Sequence, residues 1–318
     1  GFLVTVESVI GPGLPGLTIV GQLGGPTNDA RLRVQVALAR CGHVLAPQKQ
    51  LVNLAPAEHR KESPGLDLAM ACALLTSHGV IPQASLEGVL LWAELGADGR
   101  LRPVRGTLAV AELAGRLGIR RLVLAPERAS EAARIDGLEV MPVEDLAMLV
   151  AQLRGEVVLD LAERGRTAEP ERSVLDMADV RGLELPRLAV EVMVAGGHHL
   201  LLHGPSGSGK TMLADRVAGL LPDLDDARAL EVSRIHDAWT RRAPVRVAPP
   251  SASVVELLGG EGRPGEFSLA HGGVLVLDEL PEFADDCLEA LRLPIEDGNV
   301  RLTRDRAHRG FPSHRSYR

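Results

Sequence analysis

Residues Gly204-Pro205-Ser206-Gly207-Ser208-Gly209-Lys210-Thr211 follow the spacing G-x-x-x-x-G-K-[ST]. Glycines at the tight positions let backbone N–H groups turn inward around phosphate oxygens, where a side chain would block the approach. Lys210 offers a compact, flexible ammonium to β- and γ-phosphates. The Thr211 hydroxyl is spaced to ligate Mg²⁺, and a helix expected over 211–221 presents its positive N-terminus to the same anion. Lysine usage points to the same place. Of 35 Lys plus Arg only Lys49, Lys61 and Lys210 are lysine, and the other 32 are Arg. A phosphate loop is where a point charge serves better than a planar fork. With so few lysines the pattern arises by chance only about 0.002 times per such chain, so it is read as a nucleotide-binding loop.

Further along, Gly273-Val274-Leu275-Val276-Leu277-Asp278-Glu279 reads as an apolar strand ending in two acids, with Asp278 sixty-eight residues beyond Lys210. A buried strand that delivers an aspartate at its C-terminal edge can hold Mg²⁺, and the adjacent Glu279 can orient and deprotonate water. An apolar strand followed by Asp-Glu is common by itself. Beside the phosphate loop it makes ATP hydrolysis the leading chemistry, with ATP and Mg²⁺ as the groups bound. His198, His199 and His271 lack a recognised ligand spacing and are read as packing or hydrogen-bonding residues. Asp297-Gly298 lies between apolar flanks over 293–302 and reads as a hairpin turn.

The elements that must position these groups fall into two α/β units. In the first, strands are expected over 2–10 and 17–20, a helix over 29–41 capped by Asn28, a strand over 51–54 and a buried helix over 66–75. Further alternation follows through 89–95, 107–117, 121–124 and 145–153. Charges and small residues over 156–173 read as a linker. The second unit, 174–318, should carry a helix over 186–195 and a short strand over 199–203 that feeds the phosphate loop. The arginine-rich end from Val300 onward has no apolar period and reads as a tail.

Composition bounds the rest. Hydrophobic residues are 45% and charged residues 24%, the proportions of a globular chain with real cores. Aromatics are 2%, so those cores must be aliphatic. No apolar run approaches the roughly 18 residues of a membrane span, and no basic-then-apolar leader is visible. Cys41, Cys72 and Cys287 form no C-x-x-C pair, which points to a reducing, cytoplasmic setting. A net charge of −7 argues against a generally basic nucleic-acid-coating protein, while a local basic surface stays open.

Together these residues resemble the YifB/ComM family of magnesium-chelatase-like AAA+ ATPases over nearly the whole chain. Gly13-Leu14-Pro15-Gly16-Leu17-Thr18-Ile19-Val20-Gly21, Val52-Asn53-Leu54-Ala55-Pro56-Ala57 and Leu101-Arg102-Pro103-Val104-Arg105-Gly106 look like its Lon-protease-like domain. Asp179-Val180-Arg181-Gly182, Ala195-Gly196-Gly197-His198, the phosphate loop, Arg263-Pro264-Gly265-Glu266, Leu269-Ala270-His271 and Leu277-Asp278-Glu279-Leu280-Pro281-Glu282-Phe283 look like its ATPase domain. The resemblance implies a Lon-like α/β domain over 1–155 followed by an AAA+ αβα domain over 174–318. It also implies a hexameric ring of like subunits and, for the ComM branch, DNA branch migration during natural transformation. Two other functions remain open: a nucleotide-binding scaffold with little hydrolysis, and a magnesium-chelatase motor subunit.

The departures from the family pattern are specific. Lon proteases use a Ser–Lys dyad. Here Ser63-Pro64-Gly65-Leu66-Asp67 puts Gly65 in the nucleophile's place, and Pro103-Val104-Arg105-Gly106-Thr107-Leu108 puts Leu108 in the lysine's. Gly cannot attack a carbonyl and Leu cannot accept a proton, so no peptidase activity is expected. Lys61 and Ser63 are expected at the surface. Arg246-Val247-Ala248-Pro249-Pro250 stands where the family usually carries paired histidines. After Phe311-Pro312 the family continues into a sensor strand, an arginine finger and a helical lid, whereas this sequence runs Ser313-His314-Arg315-Ser316-Tyr317-Arg318. The resemblance thus implies a sequence shortened at both ends, with the lid lacking.

Overall fold

In the computed structural model, residues 2–22, 27–59, 61, 64–165, 175–260 and 263–300 are described. The chain forms two compact units, Gly1–Arg166 and Thr167–Arg318.

The first unit opens with β1 (Thr5–Gly11) and β2 (Gly16–Val20), which the Gly-Pro-Gly turn separates, then α1 (Thr27–Arg40) and β3 (Lys49–Ala55). β3 is the central strand, antiparallel to β1 and parallel to β2. Its alternation puts Gln50, Val52 and Leu54 inside and leaves Leu51 exposed, as a period of two requires. Next come α2 (Asp67–Ser77), β4 (Val89–Trp92), the short antiparallel pair β5 (Glu94–Leu95) and β6 (Leu101–Arg102), and α3 (Thr107–Arg116). β7 (Arg121–Leu124), α4 (Ala129–Ala132), β8 (Glu139–Pro142) and α5 (Leu146–Leu153) complete it. Asp145 caps α5 by accepting from Met148 N at 2.8 Å. α1 begins at Thr27, so the helix starts one residue earlier than the expected cap position, Asn28.

β4, β7 and β8 form a second, wholly parallel sheet. Such sheets are covered on both faces, and β7 shows how. Val123 points into the cluster built from α1, α2 and β3, whereas Leu122 and Leu124 point into the cluster of α3, α4 and Val140. Each fully buried leucine contributes about 1.5–3 kcal/mol. Every large side chain fully buried in these two clusters is aliphatic or Met, as the low aromatic content requires, and the half-buried Trp92 packs against the second. Cys41, Cys72 and Cys287 are free thiols, and burial pushes Cys72 up to about 12.

Two charged side chains tie this unit together. Asp67, 1% exposed, receives a fork from Arg33 on α1, at 2.7 Å from Nε and 3.2 Å from Nη2. Burial pushes its carboxyl above the usual range, against the pull of the guanidinium. Lys61 corrects an expectation. It is 4% exposed, not a surface residue, because its ammonium donates to Gly21 O and Leu54 O at 2.9 Å and to Pro56 O. Three donors meet three carbonyls that the strand ends leave over. Ser63 lies outside the described residues.

The expected linker begins later than its composition implied. Leu159 N donates to Gln152 Oε1, Ala162 N to Val140 O and Gly165 N to Ser130 O, and Leu159 and Ala162 pack on the two clusters. Residues 156–165 therefore lie along the first unit. The remainder of the expected linker, 166–173, lies outside the described residues.

The second unit contains α6 (Glu184–Gly196), α7 (Lys210–Ala214), α8 (Asp226–His236), β9 (Val245–Ala248), α9 (Val254–Leu258) and the two-residue strands β10 (Gly259–Gly260) and β11 (Arg263–Pro264). It continues through α10 (Glu266–Leu269), β12 (Val274–Leu277) and α11 (Asp285–Asp297). β9 and β12 run parallel, with Ala248 opposite Leu277. The expected strand over 199–203 makes no ladder among the described residues. The expected hairpin over 293–302 is also corrected. Residues 293–297 continue α11, and Gly298 closes it at φ 65°. Left-handed glycine suits a helix end as well as a hairpin, and here the helix takes it. Residues 301 and 302 of that expected hairpin, and the expected tail beyond the buried Val300, lie outside the described residues. Among the described residues no helix is long and apolar enough to cross a membrane.

Candidate nucleotide-binding site

Gly197 caps α6 in the left-handed region at φ 63°, and the chain then passes through His198 and His203 into the phosphate loop. Gly207 at φ 77° and Gly209 at φ 88° take backbone conformations that L side chains rarely adopt. Gly209 is required on a second ground. A Cβ there would stand 2.8 Å from Leu183 Cδ1, so the apolar residue before α6 seals one flank of the loop. Leu183 itself is left-handed, at φ 54°.

α7 starts at Lys210 and is shorter than the helix expected over 211–221. Asp215 N still reaches Thr211 O, but Arg216 N bonds Leu213 O, three residues back, and Val217–Gly219 tightens into a 3₁₀ turn. The Arg216 side chain folds over the end, donating to Met212 O at 2.9 Å and Asp176 O at 3.1 Å. Inside the loop, Lys210 Nζ donates to Gly204 O and Pro205 O, both at 2.9 Å. The ammonium thus sits within the ring of residues 204–209.

The two motifs meet. Thr211 Oγ1 donates to Asp278 Oδ2 at 3.2 Å, across 67 residues of sequence. Asp278 follows directly on β12, and its other oxygen accepts from Glu279 N at 3.0 Å, so the carboxylate is held from both sides. Glu279 is left-handed at φ 55°. For a non-glycine residue that conformation costs on the order of 1 kcal/mol, and such strain concentrates at functional sites. The kink turns the chain into a 3₁₀ turn, Leu280–Glu282, fastened by Glu282 N to Glu279 O at 2.8 Å and by buried Phe283. The Glu279 side chain is exposed and its carboxylate makes no hydrogen bond or ion pair among the described residues. It opens on a cleft of about 590 Å³ that Pro250, Ser251, Pro281 and Glu282 also line.

The donor set suits Mg²⁺, a hard cation that takes oxygen ligands and is held by one or two protein groups plus substrate phosphates. A hydroxyl and a carboxylate 3.2 Å apart, beside the loop, are such groups. Among the described residues no cluster of three or more His, Cys, Asp or Glu forms a metal site of another kind. His271 Nε2 lies 3.1 Å from Glu231 Oε2, and His236 Nε2 lies 2.8 Å from Leu269 O, so both join α8 to its neighbours.

Sequence reasoning missed two features. Arg246 on β9 forms a bidentate pair with Glu266 on α10, with both contacts at 2.7 Å, and the carboxylate holds the guanidinium above its usual range. Both residues belong to motifs noted in the sequence, but nothing local pairs them. Ser251 shares the cleft of Glu279, and the Pro249-Pro250 pair before it was the available signal.

Residues 176–316 match a family model described as magnesium chelatase, subunit ChlI, and residues 6–128 match one described as subunit ChlI of Mg-chelatase. YifB of Escherichia coli is 40% identical over 98% of this chain, and competence protein ComM of Haemophilus influenzae is 36% identical over 98%. The chain belongs to the YifB/ComM family of magnesium-chelatase-like proteins. A Mycobacterium tuberculosis member, an uncharacterized protein, is 42% identical over 96% of the chain. The chain spans 63% of the length of that protein and of E. coli YifB, and 64% of H. influenzae ComM. This family membership covers both units, because the two models match one unit each.

Proposed function

We propose that the second unit binds Mg·ATP and hydrolyses it, and that the first unit is a Lon-protease-like domain without peptidase activity. The observation that carries the first part is the Thr211–Asp278 contact, which unites the phosphate loop with the acidic strand end. On this reading Lys210 leaves the carbonyls of Gly204 and Pro205 for β- and γ-phosphate oxygens, which are the better acceptors. Backbone N–H groups of residues 204–209 surround the phosphates, with Gly207 and Gly209 supplying the turn. Thr211 and Asp278 hold Mg²⁺, whose chemistry is to neutralise charge on the phosphate oxygens. Glu279 accepts the proton of the water whose oxygen attacks the γ-phosphorus, as the bond to ADP breaks.

Support for the second part comes from the place of Gly65. A Cβ there would lie 2.8–2.9 Å from the indole of Trp92, so no nucleophilic side chain fits. Leu108, at the place of the lysine, is 2% exposed in the core. The domain then serves as a scaffold.

For the whole protein we propose an assembly of like subunits in a ring that acts on DNA, in the reducing cytoplasm. The relationship to competence protein ComM supports the DNA role, and the free cysteines agree with the setting. A magnesium-chelatase motor is the second reading, favoured by the description of both family models. Metal insertion into a porphyrin on adding a chelatase partner would select it. Calorimetric titration with Mg·ATP tests the first reading: the wild type should bind, and Lys210→Ala should bind about tenfold more weakly or worse, since hydrogen bonds to charged groups contribute about 1.5–3 kcal/mol. Specific turnover that rises with protein concentration would support composite sites between subunits.

A further inference from the structure

The parallel sheet of the first unit is not fully covered. A period of two puts Val89, Arg121, Val123, Glu139 and Met141 on one face, the face against which α5 packs. Parallel sheets are normally covered on both faces, yet α5 ends at Leu153, and beside its last turn a cavity of about 220 Å³ stays open. Val89, Val123, Met141 and Leu153 give it an aliphatic floor, and Val123 and Met141 are buried. Glu87, Arg121 and Gln152 supply polar groups at its more exposed side.

Each of those three side chains has hydrogen-bonding capacity left over. Gln152 Oε1 accepts from Leu159 N at 2.6 Å, which fixes the amide and leaves its Nε2 hydrogens without a partner among the described residues. Arg121 gives Nε and Nη2 to Glu139 Oε2, at 3.3 and 3.0 Å, and keeps Nη1. The Glu87 carboxylate makes no hydrogen bond or ion pair among the described residues. The Ser85 hydroxyl, also in the lining, already donates to Pro82 O at 2.7 Å.

These leftovers define a ligand. Two oriented donors, one of them cationic, suit a carboxylate. The charges of Arg121 and Glu139 cancel, so Glu87 leaves the site with one net negative charge. A plain carboxylate would be repelled there, and a plain amine would leave the donors unanswered; a zwitterion meets both needs. The aliphatic floor suits a branched alkyl group. The volume lies below the roughly 300–1,000 Å³ of pockets for drug-sized molecules, so the occupant is small. We propose that this cavity binds a free α-amino acid with an aliphatic side chain, of the leucine or valine kind. Its carboxylate meets Arg121 and Gln152, and its ammonium faces Glu87. The site lies wholly within the first unit and is independent of the ATPase reading.

The test is calorimetric titration of the whole chain with L-leucine, glycine, N-acetyl-L-leucine and L-leucinamide. L-Leucine should bind saturably with a Kd on the order of 0.1–1 mM, as expected for so few non-hydrogen atoms. Glycine, without the alkyl group, should bind about tenfold more weakly or worse. N-Acetyl-L-leucine and L-leucinamide each lack one charge and should each bind about threefold more weakly or worse. Three variants place the site, with circular dichroism as the check on folding. Ala84→Trp fills the cavity from an exposed part of its wall and should abolish binding. Gln152→Glu keeps an acceptor for Leu159 N but sets a negative charge against the ligand carboxylate, and should weaken L-leucine about tenfold. Glu87→Gln should weaken L-leucine about threefold and leave N-acetyl-L-leucine unchanged. No saturable binding of L-leucine by the wild type overturns the proposal. So does binding that the three variants leave unchanged, which would mark an association elsewhere on the surface. Equal affinity for L-leucine and either of its singly charged analogues would also overturn it, because the zwitterion would then not be what is recognised.

Discussion

The Thr211 hydroxyl stands 3.2 Å from an Asp278 carboxylate oxygen, and that contact joins a loop to a strand end 67 residues away. The strand end is held in turn by β9, which pairs with β12 along its whole length. Asp278 is thus a fixed oxygen donor whose Oδ1 accepts from Glu279 N.

Asp278→Asn should therefore lose metal dependence before it loses the fold. The amide preserves shape and removes the charge that draws Mg²⁺. Titrating turnover with Mg²⁺ should show the half-saturating concentration raised about tenfold or more, with far-ultraviolet circular dichroism unchanged. An identical Mg²⁺ dependence in wild type and variant contradicts the assignment.

Gly65→Ser would place a hydroxyl where a Lon-type nucleophile belongs, but the Trp92 ring occupies that space. Overpacking of this kind costs about 1–3 kcal/mol. The variant should unfold at lower denaturant, as should Gly65→Ala, and neither should cleave an unstructured protein such as casein. Cleavage gained with Gly65→Ser and absent from Gly65→Ala would show that a working site survives.

Arg33→Ala leaves Asp67, 1% exposed, without its counter-charge. The loss should be about 2 kcal/mol or more at neutral pH. Its pH dependence has a definite sign. Burial already raises the folded pKa of Asp67, and removing Arg33 raises it further. A carboxyl with a raised folded pKa contributes its stability below the unfolded value of about 3.9, and that contribution is lost as pH rises through the folded pKa. The gap in denaturant midpoint between wild type and variant should accordingly be wider at pH 8 than at pH 5. A gap that widens on acidification contradicts this.

The motifs proposed for the site stand out in the sequence more than the fold around them does. Spacing alone locates Gly204–Thr211 and Asp278-Glu279, because the chemistry is local and tolerates few residue types. That Thr211 meets Asp278 follows only from packing, in which Leu213 of α7 shares a cluster with Val245 of β9 and Val274 of β12. Long-range partners were invisible: Lys61 looks like a surface lysine until Gly21 O, 40 residues earlier, closes over it. Asp297-Gly298 misled because left-handed glycine ends helices as readily as it turns hairpins. The apolar run over 199–203 has strand composition, yet composition cannot supply the neighbour a ladder needs.

Hydrolysis of Mg·ATP by the wild type and by Glu279→Gln tests the central claim most directly. A positioned general base contributes about 10²–10⁴-fold, so Glu279→Gln should cut turnover by about 10²-fold or more while nucleotide affinity stays the same. Equal turnover in the two proteins, or no turnover in the wild type at saturating Mg·ATP, would contradict an ATPase built on Lys210, Thr211, Asp278 and Glu279.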